Sequence, residues 1–358
     1  MTSPHVSHLR VAALTGGWNE PSARFRVRQH IAPLAEQGIQ VRELVPAIAR
    51  HAHFPGWPAS VRLAWAPPLW AAWQAAKLAA RLPGIAASYR HDLTWLERGL
   101  LPGWPSLEPL LRRPLVLDVD DAIWLQPPFG RAAAQMLARR AAVVIAGNAH
   151  IAEWFGAHAR DVRVVPTAVD SRMLISRPGG TAGTGRFVVG WIGTSWNFPY
   201  LTMIETALGR FLAVHDAELL IVADRPPALA ALPAGKLRFR QWSLEEETAF
   251  FAAVDVGLMP LADDDWARGK CALKMLQYMA CGIPAVVSPV GVAQEILSQG
   301  EVGFGPARDG EWSEVLETLQ RDQALRRRLG AAGRLLVERS YSVDVVAAQL
   351  AAIFHALA

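Results

Sequence analysis

Two of the chain's four lysines, Lys270 and Lys274, fall in one short segment, RGKCALK, with Gln277 three residues further on. At i, i+4 and i+7 these three predict one face of a helix whose other positions are Ala, Leu and Met. Two ammonium groups on so apolar a turn could grip a pyrophosphate, with Arg268 just ahead of them at the dipole's positive end. A lysine stripe snorkelling at a domain edge explains the same pattern. Lys plus Arg total 36, so subtracting the four lysines leaves 32 arginines, and a lone Arg carries little weight here.

Three other segments hold candidates. In TGGWNEPSARFRVRQH, residues 15–30, Gly16 and Gly17 would let backbone approach a ligand, Pro21 and Ser22 open a helix, and Arg24, Arg26 and Arg28 follow. This is a phosphate cradle or an ordinary turn with solvated arginines; it matches neither GxGxxG nor GxxxxGK[ST]. In PLVLDVDDAIW, Asp118, Asp120 and Asp121 leave a buried run together and need partners. They could hold a divalent metal, bind substrate hydroxyls or, for Asp121, cap the next helix. In GWIGTSWNFPYL, Gly193, Thr194 and Ser195 precede a helix opening near Pro199, either to grip phosphate or as a plain capped turn.

These residues matter only if strands deliver them. Short β-branched runs alternate with helical stretches, which predicts parallel sheets covered on both faces. Strands are expected at 8–15, 40–44, 92–96, 114–119, 142–146 and 162–165, and again at 187–192, 218–223, 237–241, 254–260, 285–288 and 302–305. The expected domains are 1–170 and 186–340, joined by SRPGGTAGTGR at 176–186, with a final helix at 341–358 that could pack back on the first domain. An apolar fraction of 52% over 358 residues fills two cores. A net charge of +4 gives no argument for nucleic acid.

Cys271 and Cys281 would stand about 15 Å apart on a helix, beyond disulfide reach, so a reduced cytoplasmic compartment is expected. The N-terminal residues show no signal core, and the longest uncharged run, 275–294, is broken by Gly and Pro. Residues 57–81 place Trp65, Trp70, Trp73, Lys77 and Arg81 among Ala and Leu. They read equally as a helix at the inner face of a membrane or one packed on the first sheet.

Taken together, PSARFR, DVDDAIW, GWIGTSWNFPYL and DDDWARGKCALKMLQYMACGIPAVVSPVGVAQEIL, in that order, resemble the family 4-like (group 1) glycosyltransferases of bacterial polysaccharide and lipid glycosylation. The resemblance runs from about Leu9 to Tyr341. It implies an α/β GT-B fold: two Rossmann-like domains with an interdomain cleft, the first on the acceptor side and the second on the donor side. It also implies a nucleotide-diphosphate sugar as donor substrate, a glycan or lipid-linked acceptor, retention of configuration, and neither metal nor cofactor. By the same resemblance Gly16, Gly17, Gly193 and Thr194 face the donor diphosphate, and Trp242 and Ser243 border the nucleobase. Lys270 and Lys274 contact phosphate and sugar, and Glu295 matches a Glu after the Gly-rich turn.

The chain departs from that pattern in three places. The second Glu of the family's Glu-x7-Glu is Gln277, and the first falls at Gly269. No cation follows the strand at 187–192. Asp120 stands about where many members carry a cleft His. The expected chemistry is hexosyl transfer with Lys270 and Lys274, aided by Arg24, clamping the diphosphate, and Asp120 or Asp121 orienting the acceptor hydroxyl. Two rival readings are a Mg²⁺-dependent Asp-x-Asp phosphohydrolase and a GT-B pair that binds nucleotide sugar without transfer.

Overall fold

The computed structural model describes residues 8–56, 67–170 and 185–358. Most of the expected linker, 176–184, and Trp65 lie outside them. The chain divides into two compact units, Met1–Thr167 with Val343–Ala358, and Ala168–Ser342.

Strands form where the β-branched runs predict them. In the first unit these are β1 (Leu9–Leu14), β2 (Ile39–Leu44), β3 (Leu93–Glu97), β4 (Leu115–Val119), β5 (Val143–Ala146) and β6 (Val162–Val164). They make one parallel sheet of order β2-β1-β3-β4-β5-β6. The second unit holds β7 (Phe187–Ile192), β8 (Ala217–Ala223), β9 (Leu237–Gln241), β10 (Val256–Met259), β11 (Ala285–Val287) and β12 (Gly303–Phe304). Its parallel order is β12-β11-β10-β7-β8-β9. Each order reverses once, between β1 and β3 and between β7 and β10. In open α/β sheets the ligand crevice lies at the carboxyl ends of the strands flanking that reversal.

Strands buried on both faces read as unbroken apolar runs, and β7 shows why. Phe187, Val189 and Trp191 pack into one face's core, while Val188 and Ile192 pack into the other's. Two glycines set the helix spacing beside the reversal. A Cβ on Gly190 would come within 2.4 Å of Val254, and one on Gly257 within 2.3 Å of the Tyr278 ring. The helix Leu273–Ala280 thus lies hard against β10, pinned by Tyr278 Oη donating to the Leu258 carbonyl at 3.1 Å.

In the first unit the final helix, Val343–His355, covers the sheet through Phe354, whose ring meets Trp95 edge-on at 5.1 Å. The helix Pro67–Ala79 and the residues after it are tied inward. Trp73 Nε1 donates to the Ala52 carbonyl (3.2 Å), Lys77 Nζ to that of Arg50 (3.0 Å) and Arg81 Nη1 to that of Thr15 (3.3 Å). Buried Lys77 and Arg81 therefore serve a packed helix, and the membrane-surface reading of 57–81 loses its cations to the interior. No helix among the described residues is long and apolar enough to cross a membrane.

Candidate active site

The second unit's reversal brings the loop after β7 and the loop after β10 to one end of the sheet. Gly193 N–H is held by the Val222 carbonyl at 3.1 Å, and Thr194 is exposed beside it. Ser195 donates its N–H (2.6 Å) and hydroxyl (2.7 Å) to Asp224, which follows β8. Burial alone would raise the Asp224 carboxyl, but those two bonds outweigh it and hold it below its ordinary range. The Ser195 N–H expected for phosphate is thus already committed.

The loop after β10 corrects the expectation of one continuous lysine face. A short helix, Asp265–Arg268, is capped by Asp264 Oδ1 accepting from Ala267 N–H at 2.7 Å, and it ends at Gly269. The next helix begins only at Leu273, after Ala272 turns left-handed at φ 50°. Gly291 sets this break: a Cβ there would meet the Arg268 carbonyl oxygen at 3.1 Å, so the loop lies against a distant glycine. Lys270 accordingly precedes the helix, while Lys274 and Gln277 share its face.

Lys270 Nζ lies 6.0 Å from the centre of the Tyr200 ring and 5.7 Å from that of Trp266, both in cation–π range. Lys274 Nζ donates to Gln277 Oε1 at 3.0 Å, and buried Gln277 extends Nε2 to Glu247 Oε1 at 3.5 Å. The other oxygen of Glu247 accepts from Trp242 Nε1 at 3.3 Å. Trp242, Gln277 and Lys274 are therefore joined through Glu247, a residue missed in the sequence. Helical phase could have found it, since Glu247 is the member of the Glu245–Glu247 run in register with buried Phe250 and Phe251. Ser243 caps the helix Leu244–Ala253, its Oγ accepting from Glu246 N–H at 3.1 Å. Arg268 is exposed and paired with Asp263 at 2.8 Å, and Glu295 is exposed on the helix Val292–Leu297.

The first unit's reversal is occupied from within. Gly16 N–H donates to Glu97 Oε2 at 3.0 Å, and Glu97 pairs with Arg50, both fully enclosed. A Cβ on Gly16 would fall on the Arg50 guanidinium, and one on Gly17 on Ala49. The close approach these glycines permit is thus to residues 49–50. Arg24 is half-buried, its guanidinium 4.7 Å from the Phe25 ring centre.

The three aspartates have cationic partners. Arg26 is turned inward on an irregular π-type turn, Ala23–Val27, and meets Asp118 at 2.8 Å; their side chains are 3% and 1% exposed. Arg98, at φ 57°, pairs with Asp120 at 2.5 Å and Asp121 at 2.7 Å. Burial would raise Asp120, yet the Arg98 charge and hydrogen bond hold it below its ordinary range. Asp121 caps no helix: the turn Ile123–Leu125 starts from Ala122 with no side-chain bond, because Arg98 holds the carboxylate. A carboxylate set held by guanidinium groups does not suit a divalent cation, so the Asp-x-Asp phosphohydrolase reading fails on donor chemistry.

Residues 186–322 match the family described as glycosyl transferases group 1. The chain is 28% identical over 250 residues to a phosphatidyl-myo-inositol mannosyltransferase of Mycobacterium leprae, covering 66% of this chain and 61% of that protein. It is 25% identical over 160 residues to an N-acetyl-alpha-D-glucosaminyl L-malate synthase of Bacillus anthracis, covering 42% and 41%. The chain thus aligns with less than two thirds of either relative's length. Anabaena HepE, solved in complex with UDP and glucose, superposes with a TM-score of 0.68 at 16% identity over 98% of this chain and all of its own, a likeness that carries the fold. Two parallel Rossmann-like sheets give this chain a GT-B fold, and residues 186–322 carry its likeness to the group 1 glycosyl transferases.

Proposed function

We propose that the protein transfers a hexosyl group from a nucleotide-diphosphate sugar to a hydroxyl of a glycan or lipid-linked acceptor, with retention and without a metal. The supporting observation is the pair of ammonium groups at the carboxyl end of the second sheet's reversal. Lys270 is set among aromatic rings and Lys274 is held by Gln277. The demand of such a reaction is negative charge growing on the β-phosphate as the nucleotide departs. Preorganised cations at that point are the largest usual source of rate. The matched relatives' names, phosphatidyl-myo-inositol mannosyltransferase and N-acetyl-alpha-D-glucosaminyl L-malate synthase, support sugar transfer to a hydroxyl. The neighbour solved with UDP supports a nucleoside-diphosphate donor. Asp120, kept ionised by Arg98, would orient the acceptor hydroxyl, and Trp242 would border the base.

Melting the protein with UDP, GDP and ADP tests the reading. One diphosphate, at 100 times its dissociation constant, should stabilise the fold by about 2.7 kcal/mol. The same nucleotide carrying a sugar should be turned over with EDTA present. A flat response to all three would contradict the proposal.

A further inference from the structure

We infer that Glu247 is a positioning residue that fixes the Gln277 amide and, through it, the Lys274 ammonium; the inference rests on the reading of Lys274 as a donor contact. Three facts meet here. Glu247 and Gln277 are 4% and 1% exposed, so neither is adjusted by solvent. The carboxylate has a donor on each oxygen, Trp242 Nε1 at 3.3 Å and Gln277 Nε2 at 3.5 Å. The amide's other end accepts from Lys274 Nζ at 3.0 Å.

An amide between a carboxylate and an ammonium has one favourable orientation. Turned over, it would set NH₂ against NH₃⁺ and oxygen against oxygen. Glu247 therefore selects the orientation that offers Oε1 to Lys274. A neutral side chain at 247 would leave the amide free to turn and loosen its hold on the ammonium, while the helix that carries Lys274 stays in place against Gly257.

This polarity can be reversed as a unit. With Gln at 247 and Glu at 277, the new amide still accepts from Trp242 and donates to the new carboxylate, which takes the Lys274 ammonium directly. Each single change breaks the sequence of donors and acceptors: Glu247→Gln removes the charge that orients Gln277, and Gln277→Glu sets two carboxylates side by side. The test compares Glu247→Gln, Gln277→Glu and the double variant by two readouts. One is the acetylation rate of Lys274 with acetic anhydride, by peptide mass with Lys236 as internal reference. The other is the affinity for the stabilising nucleoside diphosphate.

Glu247→Gln should speed Lys274 labelling at least threefold and weaken nucleotide binding about tenfold. Gln277→Glu should weaken binding, and the double variant should label no faster than the wild type and bind within about threefold of it. Unchanged labelling in Glu247→Gln, or a double variant no better than the worse single one, would overturn the inference. Labelling needs no nucleotide, so a protein that binds none would sink the donor reading while the labelling rates still decide the role of Glu247.

Discussion

The two sheets reverse their strand order in the same way and furnish the two crevices oppositely. At the first, Arg26 and Arg50 are locked on enclosed Asp118 and Glu97, while Arg98 holds the less enclosed Asp120 and Asp121, all within one unit. At the second, Lys270 faces aromatic rings and Lys274 an amide oxygen. A guanidinium locked on a buried carboxylate is a structural group, because displacing it strands a charge in low dielectric. An amide oxygen, by contrast, holds an ammonium without neutralising it. Topology alone therefore marks two candidate sites, and the chemistry of the neighbours favours the second as the proposed donor site.

Breaking the enclosed pair at the first crevice should cost most. Asp118→Ala strands Arg26, 3% exposed, and should lower stability in urea by about 3–5 kcal/mol; a loss under 1 kcal/mol would show that the pair is not structural.

A smaller effect comes from pH. Burial first, and then the Arg26 charge, lower His30 to about 3, whereas the unfolded residue titrates near 6.5. Between these values only the unfolded chain takes up the proton, so stability falls as pH drops through 6.5 towards 3. From pH 8 to pH 5 the loss is about 2 kcal/mol. His30→Gln should flatten that part of the stability profile, and an unchanged slope would count against the assignment. Least of all should happen with Arg268→Ala: its exposed pair with Asp263 belongs to the loop, so turnover should stay within about twofold of the wild type. A large drop would move Arg268 back among the donor contacts.

How much of this the sequence revealed depends on distance along the chain. Strands buried on both faces carry their own signature in consecutive residues, as in FVVGWI at β7. Lys274 and Gln277 were legible as one face because they stand at i and i+3 on one helix. Lys270 was misplaced because the left-handed turn at Ala272 accompanies packing of Arg268 against Gly291, which no local pattern encodes. The aspartates were visible as needing partners, but Arg26 lies 92 residues from Asp118 and Arg98 sits 22 from Asp120. Those pairings exist only once neighbouring strands are in register. Gly16 and Gly17 pointed to a close approach, and only the fold shows that residues 49–50 fill it.

The central claim is that Lys274 meets the departing diphosphate, and its most direct measurement is turnover of the stabilising nucleotide's sugar by Lys274→Ala beside the wild type. Turnover should drop about 100-fold, the usual cost of losing one such charge donor, while the free protein stays folded and loses only the stability of the one bond to Gln277. Turnover equal to the wild type's would contradict it.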